Sequence, residues 1–254
     1  MRAIMPLLFL LALAACSFGA DPFTPGESGQ VTEVSGALTL AVDTGDNVLE
    51  VRLAELDAPD EALSRSLLEA EAAGHAVRLA YAGQERDRYG RALAQVHVRN
   101  EGGADSWLQA RLVESGAARV LSHADNRAAA RDLLVLESFA RDQRRGLWAD
   151  PAHAVRDTHP DALAQDIGSV QLVEGRVVEA TQLRSGRIYL NFGADYRSDF
   201  TVMIEAEDAP AFLEAGLGPD ALETRRIRVR GWIEDENGPM IRIDHPERIE
   251  VLVD

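Results

Sequence analysis

The chain has 254 residues, 46% of them hydrophobic, and a formal net charge of −16. That length supports two modest domains with cores of their own, and the charge excludes tight nonspecific binding of polyphosphates, which depends on clustered positive residues. All 26 basic residues are arginine and there is one cysteine, so an internal disulfide framework is excluded and any phosphate contact must come from a few placed guanidinium groups.

The first segment in chain order reads as a leader. Arg2 is followed by PLLFLLALAA and then Cys16. The run is too short to span a bilayer but fits the core of a secretory signal. Leu13-Ala14-Ala15-Cys16 resembles a bacterial lipobox, which implies that Cys16 is lipidated and becomes the new N-terminus. The alternative is a plain signal peptide with an incidental cysteine. Ser17, by the same resemblance, favours the outer membrane. Residues 1–16 are thus expected to be a lipoprotein signal peptide. The protein is then held by a lipid anchor in the cell envelope, facing the periplasm, or on the alternative is secreted. Residues 17–28 are rich in Pro, Gly and Ser and predict a flexible tether.

GQVTEV (29–34) and ALTLAVD (37–43) alternate apolar and polar residues, as half-buried strands do. DTGDN (43–47) predicts a turn and VLEVRLAEL (48–56) a third strand. A helix is expected over 61–73, stopped by Gly74. HAVRLAY and RALAQVHV read as two more strands joined by AGQERDRYG. Two helices, from SWLQARLVESG and NRAAARDLLVLESFARDQRRG, close the unit at GLWAD. Three strands, a helix, two strands and closing helices predict a barrel of OB type over 29–150. Residues 151–168 carry two prolines and no apolar period, and read as a linker. Residues 169–254 repeat the order of three strands, a helix and two strands. The fold class expected is therefore mainly β with helices: an OB barrel plus three helices, followed by a second OB-like barrel. Residues 28–150 hold 14 arginines against 20 acids, and residues 160–254 hold 10 against 19, so neither half is basic. Tyr189, Phe192, Tyr196, Phe200 and Trp232 read either as base-stacking groups or as core and turn residues. No Ser/His/Asp arrangement is indicated.

RLAELDAPD (52–60) places Arg52 on a strand and Asp57 and Asp60 where that strand ends. Acids at a strand terminus can hold a hard cation through oxygen, and an arginine fork beside them can clamp a phosphate. The stretch equally suits a surface turn with a strand-edge ion pair. DRYGR (87–91) adds a second arginine at a loop-to-strand junction, with Gly90 permitting a tight bend. Together with WLQARLVESGAA (107–118) and GLW (146–148), these blocks make residues 29–149 resemble the staphylococcal nuclease (thermonuclease) family in order and spacing. The resemblance implies a calcium-dependent phosphodiesterase acting on DNA and RNA. In that mechanism the metal polarises the phosphate, a carboxylate activates water, and two arginines neutralise the developing charge. Carried over by position, Arg52 and Arg91 match the phosphate-binding arginines. Asp57 matches a metal-binding aspartate, Ala58 the neighbour whose backbone carbonyl faces the metal, and Asp60 the glutamate expected to act as base.

Three departures bear on activity. The family's D-G-D-T turn aligns with Ser35-Gly36-Ala37-Leu38, so Ala37 stands where a metal-binding acid belongs. Asp43 and Asp46 cannot replace it by spacing: Asp46 lies only six residues before Arg52, whereas Ala37 lies fifteen before it, with room for a hairpin. One side-chain carboxylate then remains for calcium, which takes about 6–8 oxygens. Asp60 is one methylene shorter than glutamate, and a displacement of about 1 Å can cost on the order of 100-fold in rate. The segment from Asp60 to Gly74 is shorter than is usual in the family. The expectation is a degenerate site that has lost hydrolysis and keeps phosphate or partner binding, with calcium binding weak or lost. The alternative is a weak calcium-dependent nuclease outside the cytoplasm. Expected partners are single-stranded DNA or RNA, oligonucleotide ends, or another envelope protein.

Overall fold

The computed structural model describes residues 22–195 and 197–253. The leader, Cys16, the first part of the tether and Tyr196 lie outside them.

The first barrel is organised by one long strand. β1 (Thr24–Gly36) pairs through residues 30–36 with β2 (Thr39–Asp43) and through residues 24–30 with β5 (Ala76–Tyr81). β3 (Val48–Leu53) lies antiparallel to β2 and parallel to β6 (Ala92–Val98), and β6 returns to β5. The ring β1-β2-β3-β6-β5 therefore closes, which removes free edges. Leu40, Val42, Val51, Leu53, Val77, Leu79, Ala94 and Val96 fill it, each at 4% exposure or less. They alternate with outward residues along each strand, as the pleat requires. β4 (Leu56–Asp57) and β8 (Arg119–Val120) form a separate two-stranded ribbon, and β7 (Ser106–Trp107) adds to the edge of β6.

Two sequence expectations are corrected here. Residues 24–28, assigned to the tether, begin β1; Tyr81 donates its hydroxyl to Glu27 at 2.6 Å and Arg86 pairs with Glu27 at 2.9 Å, tying this segment to the barrel. The third strand ends at Leu53, because Glu55 adopts a positive φ of 65° and is only 4% exposed.

Three helices cover the barrel. α1 (Glu61–Ala72) buries Ser64, Leu68 and Ala72, one residue per turn. α2 (Leu108–Glu114) inserts Gln109, whose side chain accepts from the Val96 amide and donates to the Ala94 carbonyl. α3 (Ala130–Asp142) presents Ala130, Leu133, Glu137 and Ala140 as its buried stripe. Gly116 has a φ of +73°, and a Cβ there would sit 2.1 Å from the Arg145 carbonyl oxygen. Only glycine lets the GLW segment cross this closely, with the Leu147 amide donating to Gly116 at 2.8 Å.

The expected linker is packed structure. Its turns start at Pro151 and at Pro160, the latter opening α4 (Pro160–Leu163); Leu163 is fully buried in the second core, and Arg156 holds Asp166 at 2.8 Å. The second barrel then repeats the first. β9 (Val170–Arg176) and β10 (Glu179–Gln182) act as one interrupted strand, pairing with β13 (Arg226–Asp235) and β11 (Ile188–Asn191) respectively. β12 (Thr201–Ile204) joins β11 antiparallel and β14 (Pro239–Ile243) parallel, and β14 returns to β13. The connection carries α5 (Ala209–Glu214) and α6 (Pro219–Leu222), and β15 (Ile249–Val251) flanks β13. Phe200 is fully buried and packs on Phe192 at 4.9 Å, so both are core residues; Trp232 is exposed and Tyr189 half-buried on the outer surface.

The barrels are joined by buried charge. Arg230, 1% exposed, leaves β13 to donate to the Val120 carbonyl at 2.9 Å, to Glu137 at 2.8 Å and to Glu250 at 2.6 Å. Burial opposes the Arg230 charge, but Glu137 and Glu250 more than offset it and raise its pKa. Glu137, itself fully buried, also accepts from the Val120 amide and Arg141. Beside this network, Ala140, Trp148 and Leu172 form a small apolar seam. A further tie runs from Ser122 to His245 Nε2 at 2.7 Å and from His245 Nδ1 to Asp244 at 2.5 Å. This is a Ser/His/Asp arrangement that the sequence did not disclose, since its members come from different barrels. Ser122 and His245 are 0% and 1% exposed, which closes the hydroxyl to substrate and makes the row a lock between domains.

Candidate functional site

Arg52, Arg91 and Asp57 lie near one another at one end of the first barrel. Arg52 sits opposite Thr39 of β2 and Leu93 of β6. The Ala37-Leu38 turn lies beside it, because the Leu53 amide donates to the Leu38 carbonyl at 2.9 Å. The hairpin thus brings the Ala37 turn to the Arg52 end of β2. Asp43 and Asp46 belong to the opposite end of β2; Asp43 accepts from the Gly45 amide in a tight turn.

Arg91 enters β6 directly next to this point. Asp87 organises the loop before it: Oδ1 accepts from the amides of Tyr89 and Arg91, both at 2.9 Å, and Oδ2 accepts from Arg91 Nε at 2.7 Å. Gly90, at φ +83°, makes the bend possible. Burial works against the Asp87 charge, but the hydrogen bonds from Arg91 and the backbone outweigh it and hold the carboxyl below its ordinary range. Arg52 is half-buried and reaches the Leu56 carbonyl at 3.3 Å. Burial, followed by the like charge of Arg91, pulls its pKa down, while Asp57 and Asp87 partly restore it. Two guanidinium groups therefore face one mouth, incompletely neutralised. Tyr89 stands at the rim, 69% exposed, with the Arg88 and Arg91 guanidinium carbons 4.8 and 5.3 Å from its ring centre.

The acids are otherwise engaged. Asp57 pairs in β4 with Arg119 of β8, and its Oδ2 accepts from Arg119 Nε at 2.8 Å. Arg119 is 6% exposed and is held from its other side by the Val170 carbonyl at 2.7 Å, at the start of the second barrel. Asp60 is the N-cap of α1, accepting from the Leu63 amide at 3.0 Å. Ala58 follows Asp57 in the turn to that helix, and Ala37 offers a methyl group. Among the described residues, no three histidine, cysteine or acidic side chains are grouped to hold a metal ion.

Three residues here were missed from sequence. Asp87 was quoted within its motif without a role. Arg119 follows directly after the block 107–118 that carried the resemblance and was not considered. Glu55 was read as a strand residue; in fact its Oε1 accepts from Gln95 at 3.2 Å and the Ala129 amide at 3.1 Å, its Oε2 has no protein partner, and burial pushes its pKa up to about 7. The third strand was expected to run through Glu55 to Leu56, whereas the positive φ at Glu55 ends it before that residue.

The chain is similar to known proteins. The sequence profile of the staphylococcal nuclease homologue family matches residues 50–150. An uncharacterized endonuclease of Escherichia coli O157:H7 is 32% identical over 127 residues, covering 48% of this chain and 77% of the relative. Protein ParB of Escherichia coli is 32% identical over 169 residues, covering 61% of this chain and 90% of the relative.

Proposed function

The chain belongs to the staphylococcal nuclease family, and from that premise we propose that its barrel mouth binds phosphate, at an oligonucleotide end or on a partner, without efficient hydrolysis. The observation that carries this reading is the Arg119–Asp57 ion pair at 2.8 Å. The family is generally calcium-dependent. At this mouth the carboxylate expected to meet the metal already meets a guanidinium, its companion position is Ala37, and Asp60 caps a helix. This donor set does not fit a calcium ion, which takes about 6–8 oxygens and repels a neighbouring cation.

What remains is an electrostatic clamp. Arg52 is fixed on the strand and Arg91 is oriented by Asp87, so two forks are preorganised for one phosphate. Tyr89 offers a ring on which a terminal base can stack. The alternative reading, a weak calcium-dependent nuclease, rests on Asp57 Oδ1, which the pair with Arg119 leaves out. The leader sequence supports anchoring through Cys16 on the periplasmic side of the envelope, more readily at the outer membrane, or secretion, with nucleic acid or an envelope protein as partner.

Anisotropy of a 5′-phosphorylated single-stranded oligonucleotide with the full chain tests the clamp. Arg52→Ala and Arg91→Ala should each weaken binding at least tenfold, and chelation of divalent ions should change nothing. One neutralised phosphate predicts a salt slope of roughly −0.7. Equal binding by both variants would remove the clamp from the account.

A further inference from the structure

The outer face of the second barrel carries a groove of about 430 Å³ that the first barrel's site does not use. Two neighbouring rows of side chains cross it. Glu179, Asn191, Thr201 and Met240 are successive partners across β10, β11, β12 and β14, and Thr181 faces Tyr189 on the next row. None of these belongs to the barrel core, yet Asn191, Thr201 and Met240 are only 9%, 4% and 3% exposed. Outward residues become this buried when a curled sheet and its end loops enclose them. Leu183 from the β10–β11 loop and Asn237 from the β13–β14 turn supply those walls. The volume lies within the range of about 300–1,000 Å³ typical of small-molecule sites.

The lining selects a chemistry. It combines one aromatic ring, two flexible apolar side chains, two hydroxyls, two amides and one carboxylate, with no basic residue. Thr201 Oγ1 donates to Asn191 Oδ1 at 3.2 Å, which fixes that amide and leaves its Nδ2 hydrogens for a ligand. Two of the nearby cations are spent: Arg187 on Glu205 at 2.7 Å, and Arg242 on Glu234, Glu205 and Glu236. A phosphate would find acids and no free guanidinium among these groups. A ring face flanked by neutral donors and acceptors suits the C–H face and hydroxyls of a sugar. We infer that this groove binds a short neutral oligosaccharide, with Tyr189 as the stacking platform and Asn191, Thr181 and Glu179 taking the hydroxyls.

The test is amide-resonance mapping of the full chain against maltotriose, cellotriose and triacetylchitotriose, each raised to millimolar concentration. One of the three should give saturable shifts confined to 179–191, 201 and 237–240. Tyr189→Ala should weaken that binding at least tenfold. Thr181→Trp, which fills the groove from its wall and leaves the core alone, should do the same, with circular dichroism confirming that both variants fold. No saturable shift with any of the three sugars overturns the inference. So does binding that survives in both folded variants, and so does stronger occupation of the same residues by an oligothymidylate or by spermine.

Discussion

Glu55→Gln isolates the most unusual carboxyl in the first barrel. Burial is the largest cause of its raised pKa; the hydrogen bonds from Ala129 and Gln95 oppose it without cancelling it. The rise from 4.5 to about 7 corresponds to roughly 3 kcal/mol at about 1.4 kcal/mol per pH unit. Because the folded-state pKa is raised, that contribution is fully present below pH 4.5, where both states are protonated. It is lost as the pH climbs through about 7 and the folded chain must ionise a buried acid. Glutamine keeps the acceptor for Gln95 and Ala129 and cannot ionise. Its extra amide donor costs about 1–3 kcal/mol if unmatched, but equally at every pH. Urea unfolding of the two chains between about pH 5 and pH 8 should therefore show wild-type stability falling by roughly 3 kcal/mol relative to the variant. Parallel curves would refute the assignment of a buried, proton-holding Glu55.

The remaining predictions address the interface and the mouth. Arg230→Met should lower stability by about 3–5 kcal/mol, because it strands Glu137 in the interface; adding Glu137→Leu should recover part of the loss in the same thermal melt. Asp60→Ala should cost about 1 kcal/mol as a lost helix cap while leaving oligonucleotide affinity within twofold, measured by denaturation and anisotropy together. Ala37→Asp with Asp60→Glu should stay inert while Arg119 holds Asp57; adding Arg119→Met should bring out calcium-dependent cleavage of single-stranded DNA.

Much of this was legible in the amino acids. Alternation in ALTLAVD and VLEVRL defines strands because each pleat face meets a different environment, and the three-one-two order of elements fixed both barrels. Arg52, Arg91, Asp57 and the Ala37 turn lie near one another at one end of the first barrel. What stayed hidden depends on contacts between distant residues. Arg119 meets Asp57 through a ribbon joining residues 62 positions apart, and Arg230 meets Glu137 across 93. No local pattern encodes either pairing. Glu27 was lost to the tether because its neighbours are Pro, Gly and Ser, residues of loops that also suit a bulged edge. Glu55 was given no role because the donors it meets, Gln95 and the Ala129 amide, lie 40 and 74 positions away.

The most direct measurement is cleavage of single-stranded DNA by the purified full chain, with calcium and with chelator. The account predicts intact substrate in both, alongside binding that fails in Arg52→Ala and Arg91→Ala. Cleavage that requires calcium, stops on chelation and disappears in Arg91→Ala would contradict it.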